Sequence, residues 1–145
     1  MNENILVTGA GGFIGSHLTE RLLKDGARVR ALVRYTSDGS CGWLDQSLLR
    51  EEIEIIRGDV TDHDFMLQVV KGCDVVFHLA ALIAIPYSYQ APLSYVRTNI
   101  EGTINVLQAS HRANVRRVVH TSTSEVYGTA QYVPISETHP LVGQS

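Results

Sequence analysis

The sequence predicts an α/β domain built on a doubly wound, mostly parallel sheet of about five strands with flanking helices. Three observations carry that expectation. Short apolar-rich runs recur along the chain, the first of them unbroken, stretches with helical apolar spacing separate them, and a glycine-rich turn stands between the first run and the first helix. Unbroken apolar runs are what strands become when helices cover both faces of a sheet.

Ile5-Leu6-Val7 is the first predicted strand. Residues 14–25 follow as a helix, with Ile14, Leu18, Leu22 and Leu23 on its apolar face and Gly26 as its stop. Val29 to Val33 make the second strand, Gly39-Ser40-Cys41-Gly42 a loop, and Ile53 to Ile56 the third strand. Asp62 is placed to cap a helix carrying Phe65, Leu67, Val69 and Val70, because its carboxylate can accept from a free first-turn N–H. Residues 74–78 form the fourth strand. Leu93 to Asn114 reads as one long helix, with Val96, Ile100, Ile104 and Leu107 along one stripe and Leu93, Val106 and Ala113 in a second apolar set. Val115 to Thr121 is the fifth strand. Strand and helix thus alternate five times, the pattern of a parallel doubly wound sheet. No internal boundary interrupts it, so residues 1–145 are expected to be one domain.

Apolar residues make up 44% of the chain, charged residues 19%, and the net charge is -3. That balance suits a soluble globular domain and gives no general attraction to nucleic acid or an anionic membrane. Met1-Asn2-Glu3-Asn4 runs straight into a short strand, without the basic and long apolar regions of a signal peptide. The longest mostly apolar run, Val75 to Pro86, is too short to span a bilayer. Cys41 and Cys73 resemble neither a disulfide framework nor a metal knuckle, so a cytoplasmic setting is expected. The six histidines show no metal-ligand spacing, and no metal site is expected.

The chemistry begins at Gly9, Gly12 and Gly15, three apart between a strand and a helix. The first glycine permits a tight turn, the second admits a pyrophosphate against the backbone, and the third lets the helix pack on the sheet. Free N–H groups and the helix dipole then favour an anion, so the turn is a candidate site for NAD or NADP. An acidic residue at the end of the second strand would meet the adenosine ribose of NAD. Here the chain reads Leu32-Val33-Arg34-Tyr35, with no carboxylate until Asp38. Arg34 either pairs with a 2′-phosphate, which favours NADP, or stands as an exposed charge at a strand end. Asp59, after the third strand, is placed to accept a hydrogen bond from an adenine amino group.

Four segments in order now carry a likeness: Thr8-Gly9-Ala10-Gly11-Gly12-Phe13-Ile14-Gly15, Gly58-Asp59-Val60, His78-Leu79-Ala80-Ala81, and Thr121-Ser122-Thr123-Ser124-Glu125-Val126-Tyr127-Gly128. Together they resemble the extended short-chain dehydrogenase/reductase family, the NAD(P)-dependent nucleotide-sugar epimerases and dehydratases. The resemblance implies a Rossmann domain in which Phe13, Ile14 and Val60 join the glycines at the cofactor and Leu79, Ala80 and Ala81 line its nicotinamide side. It implies that Thr123 hydrogen-bonds the sugar 4-hydroxyl, and that Ser124 and Glu125 decide the subclass. Thr-Ser-Glu is similar to the 4,6-dehydratases acting on GDP-mannose and UDP-N-acetylhexosamines, where the glutamate removes the C5 proton. UDP-glucuronate decarboxylases share a similar stretch, and simple 4-epimerases usually carry non-acidic residues there. A UDP- or GDP-linked sugar is the implied substrate, and the implied parent is a homodimer joined through the long helix.

The chain also departs from the family. The family's general base is a Tyr followed four residues later by a Lys, and neither Lys24 nor Lys71 stands in that relation to a tyrosine. A truncated chain is therefore expected, with negligible turnover by itself and a fifth strand left as an open sheet edge. Three functions stay open: a 4,6-dehydratase portion, an epimerase or decarboxylase on the same scaffold, and a non-catalytic NAD(P)-binding module.

Overall fold

Residues 3–144 are described by the computed structural model; Met1 and Asn2, read above at the head of the first strand, and Ser145 lie outside the described residues. Among the described residues, β1 (Asn4–Thr8), β2 (Arg28–Val33), β3 (Glu54–Arg57), β4 (Val75–His78) and β5 (Arg117–His120) form one all-parallel sheet. Their order is β3-β2-β1-β4-β5, with β1 in the centre and β5 at an edge. The register is set by the apolar alternation: Ile5 pairs with Val29 and Val75, and Val7 with Ala31 and Phe77. Successive residues of a strand point to opposite faces. Ile5, Val7, Ala31 and Val75 therefore enter one core with Leu44 and Cys41, while Leu6, Leu32 and Val76 enter another with Met66, Val70 and Val106.

The first face is covered by α1 (Phe13–Lys24). It ends at Gly26 (φ +85°), where the Gly26 N–H donates to the Leu23 carbonyl and the Ala27 N–H to that of Leu22. The opposite face is covered by α2 (His63–Val69) and by a long helical stretch. Asp62 caps α2 as expected, its carboxylate accepting from the Phe65 N–H at 3.0 Å. The long stretch runs on from a short turn α3 (Ile85–Ser88) as α4 (Pro92–Tyr95), a π-helical turn (Val96–Glu101) and α5 (Gly102–Arg112). No helix among the described residues is long and apolar enough to cross a membrane.

Two expectations are corrected, and one helix face is assigned. First, Ile14 does not face the core; it stands exposed at the mouth of the glycine turn, and α1 packs instead through Gly15, Ser16 and Thr19, flanked by Leu18, Leu22 and Leu23. The helix approaches the loop so closely that only small residues fit there. Second, the stripe Val96, Ile100, Ile104, Leu107 points outward and about half of each side chain is exposed. The inward face of α5 is Gly102, Asn105, Val106, Ala109 and Ser110. A Cβ at Gly102 would lie 2.6 Å from Val60 Cγ2. Asn105 Nδ2 donates to the Val60 and Thr61 carbonyls, each at 3.1 Å. Close approach and hydrogen bonding, not apolar bulk, select that face. Third, no α-helix joins β2 to β3. Two 3-10 turns (Gly42–Gln46 and Arg50–Glu52) do so, and Leu44 of the first is fully buried in the core beneath α1.

Candidate functional site

Five segments leave the C-terminal ends of the five parallel strands, and each carries a residue singled out above. They are the glycine turn after β1, Arg34 after β2, Asp59 after β3, Leu79-Ala80-Ala81 after β4, and Thr123-Ser124-Glu125 after β5. Because the strands are parallel, all five lie along one edge of the sheet. The crevice of such sheets opens on that edge, where the order reverses beside the central strand.

The turn after β1 is built for an anion. Gly9 has φ +69°, and a Cβ there would lie 2.8 Å from the Ala80 amide nitrogen. A Cβ at Gly15 would overlap the Gly9 carbonyl oxygen, whereas one at Gly12 would meet nothing nearer than that oxygen at 3.3 Å. Gly12 is the N-cap of α1 and brings no side-chain cap, and the first turn holds no acidic residue. The N–H groups of Phe13, Ile14 and Gly15 thus have no acceptor within the helix. A cradle that side chains would fill, lined by free donors, fits a dinucleotide's pyrophosphate. The β2–β3 connection closes its flank: the Trp43 N–H donates to the Gly11 carbonyl at 3.0 Å, and Phe13 and Trp43 meet edge to face at 5.6 Å. Only the Gly39 and Gly42 pair hinted at this segment in the sequence.

Arg34 and Asp59 are brought together, with Arg34 Nε 3.9 Å from Asp59 Oδ2 across the ends of β2 and β3. Both are exposed enough that this pair contributes little, about 1 kcal/mol at most. Asp59 Oδ1 is occupied by the Thr61 N–H and hydroxyl, each at 2.9 Å, which orients the carboxylate and leaves Oδ2 available. Val60 is buried beneath Gly102, so its side chain serves the core rather than the crevice.

After β5, the Thr121 N–H still donates to the His78 carbonyl at 3.1 Å, carrying the β4–β5 ladder past the strand ends. The chain then turns. Thr123 Oγ1 accepts from the Glu125 N–H at 3.3 Å and caps a 3-10 turn over Ser124–Tyr127. Gly128 (φ +65°) ends it. Thr123, Ser124 and Glu125 are all exposed, toward the edge that the other segments share.

His78 was legible only as a histidine at a strand end. It is buried, at 2% exposure, with Nδ1 2.7 Å from Thr8 Oγ1 and Nε2 3.0 Å from Thr103 Oγ1. Burial, with the neighbouring His120 adding to it, pushes the imidazole down to about 4. The folded chain therefore holds this ring neutral at pH values where an unfolded chain, titrating near its ordinary 6.5, binds a proton. The stability it supports is whole above about pH 6.5 and drains as pH falls to about 4, by about 3 kcal/mol. Urea midpoints measured from pH 7 to 4 should fall accordingly, and His78→Gln should show a shallower decline. Parallel curves for the two proteins would exclude this origin.

A family model described as GDP-mannose 4,6 dehydratase matches residues 6–145. The UDP-glucose 4-epimerase of Mycolicibacterium smegmatis is 40% identical over 139 residues, which is 94% of this chain and 44% of that protein. The UDP-N-acetyl-alpha-D-glucosaminuronate decarboxylase of Bacillus cytotoxicus is 38% identical over 128 residues, 88% of this chain and 39% of that one. Among solved structures, UDP-glucose-4-epimerase from Stenotrophomonas maltophila, with bound NAD and formylated UDP-arabinopyranose, superposes with a TM-score of 0.88 at 28% identity. It is covered over 44% of its length by 99% of this chain. The chain thus spans less than half the length of the relatives it matches.

Proposed function

The chain belongs to the extended short-chain dehydrogenase/reductase family of nucleotide-sugar epimerases and dehydratases, and from that membership we propose that it is the cofactor-binding portion of an NAD(P)-dependent nucleotide-sugar 4,6-dehydratase. Residues 1–145 then form its NAD(P)-binding domain. Glu125, exposed beside Thr123 on the crevice edge, carries the reading.

Gly9, Gly12 and Gly15 hold the pyrophosphate against the first turn of α1, where Phe13 and Ile14 border it. Arg34 and Asp59 take the adenosine end, and Leu79, Ala80 and Ala81 the nicotinamide end. When bound, the nicotinamide would supply a hydride acceptor for sugar C4 and later return that hydride to C6. Thr123 orients the 4-hydroxyl, with Ser124 beside it. Once C4 is a ketone, the C5 proton is acidic, and Glu125 is the carboxylate that removes it as water leaves C6. The substrate is a UDP- or GDP-linked hexose, and the outward apolar stripe of the long helix is the expected homodimer contact.

A family-length form of the protein, incubated with NADP+ and UDP- or GDP-hexoses, should yield a 4-keto-6-deoxy sugar. C4 inversion or decarboxylation in its place would move the assignment to the second reading, which the names of the two relatives favour. Binding of dinucleotide with no sugar turnover would leave a non-catalytic module.

Arg34 favours NADP over NAD. Arg34→Ala should weaken NADP+ binding about tenfold and NAD+ binding hardly at all, because only NADP+ carries the 2′-phosphate with which that guanidinium can pair beside Asp59. Equal losses for both nucleotides would remove Arg34 from the 2′ position.

A further inference from the structure

The hydrogens around His78 can be counted. Thr103 Oγ1 donates its one hydrogen to the Asn99 carbonyl at 2.7 Å, so it accepts from His78 Nε2. The ring then offers Nδ1 to the Thr8 hydroxyl. With its hydrogen committed, Thr8 Oγ1 accepts from the Leu79 N–H at 3.2 Å and the Ala80 N–H at 3.1 Å. One unbroken chain of hydrogen bonds thus links the Leu79–Ala80 peptide to the long helix, each group donating toward the helix. Asn99 holds the same segment farther on, Oδ1 accepting from the Leu82 N–H at 2.8 Å and Nδ2 donating to the Leu82 carbonyl at 2.9 Å.

Asn99 and Thr103 stand four residues apart, one in the π-helical turn and one in α5, and therefore on one face. Asn99 bonds directly to the segment after β4 and Thr103 reaches it through His78, and π turns such as the one carrying Asn99 recur at functional sites. The peptide they hold has no slack: a Cβ at Gly9 would lie 2.8 Å from both Leu79 C and Ala80 N. A shift of Leu79–Ala80 would press on the glycine turn or open a gap beside it.

We propose that Asn99, Thr103 and His78 are positioning residues that carry the register of the long helix to the Leu79–Ala80 wall, against which the nicotinamide half of the dinucleotide rests. The proposal rests on the assignment of that wall to the nicotinamide end. Thr103→Val keeps the shape, removes the acceptor and orphans the His78 Nε2–H. Thr103→Ser keeps the hydroxyl.

Calorimetric titration of the chain with NAD+, NADP+ and their nicotinamide-free counterparts, ADP-ribose and 2′-phospho-ADP-ribose, separates the two ends. Thr103→Val should weaken the dinucleotides about tenfold and the nicotinamide-free ligands less than about twofold, with Thr103→Ser restoring wild-type values. Equal weakening of both ligand types, or no change in either, overturns the proposal. If Thr103→Val fails to fold, Asn99→Asp, which keeps the acceptor for the Leu82 N–H but sets a carboxylate oxygen against the Leu82 carbonyl, should show the same split; failure of both to fold makes the network purely structural and overturns it. Wild-type chain that binds ADP-ribose as tightly as NAD+ removes the nicotinamide assignment itself, a result distinguishable from any loss confined to the variants.

Discussion

Gly15→Ala is expected to destabilise the domain and to cost dinucleotide binding together. The added Cβ would overlap the Gly9 carbonyl oxygen and sit 2.9 Å from Ala10 Cα. Both are backbone atoms of the turn, so no side chain can swing aside. Either α1 backs away from β1 or the turn opens, and overpacking of this kind costs about 1–3 kcal/mol. Each response moves the free N–H groups of the first helical turn relative to Gly9 and Gly12, so affinity for NAD(P)H should fall well over tenfold. Gly12→Ala is the control: its Cβ meets only the Gly9 carbonyl, at 3.3 Å, and the position is otherwise open. That variant should melt within a few degrees of wild type yet bind poorly, because the methyl occupies the approach to the pyrophosphate. Melting curves and NAD(P)H titrations of both proteins decide the matter. A Gly15→Ala chain that melts and binds like wild type would refute the packing argument.

The parts of the fold legible in the sequence were those governed by local pattern. Short apolar-rich runs, the first of them unbroken, marked every strand of the sheet to within two residues, Asp62 announced its helix, and Gly26 closed another. The glycine turn was legible because its spacing answers to one local geometry. What stayed hidden depended on tertiary approach. Periodicity shows that Val96, Ile100, Ile104 and Leu107 share a stripe, but not which stripe meets the sheet. Gly102 against Val60 and the Asn105 hydrogen bonds decided that. The turns at Gly42–Gln46 left no periodic trace, since a 3-10 turn is too short to make one. The Thr8–His78–Thr103 chain spans 95 residues of sequence in two hydrogen bonds, and no pattern of neighbours reports it. In the site, motif residues were legible individually, while the pairing of Arg34 with Asp59 and the burial of Val60 required the packed sheet.

Glu125→Gln in a family-length form of the protein is the substitution expected to change chemistry most. The 3-10 turn that presents Glu125 is held by its backbone: its N–H donates to Thr123 Oγ1 and its carbonyl accepts from the Gly128 N–H at 3.1 Å. Neither contact uses the carboxylate, so glutamine should occupy the same place without disturbing the fold or nucleotide binding. It cannot take a proton. Formation of the 4-keto-6-deoxy product should drop about 10²–10⁴-fold, the usual contribution of a positioned base. Oxidation at C4 does not need that base, so a single turnover should still reduce the cofactor and be visible as nicotinamide absorbance. Exchange of the C5 hydrogen with deuterated solvent should be lost along with elimination. A variant that eliminates water at the wild-type rate would remove Glu125 from the reaction. One that inverts C4 as fast as wild type, with no deoxy product from either protein, would show that the carboxylate has no base to act as and that the scaffold performs an epimerisation.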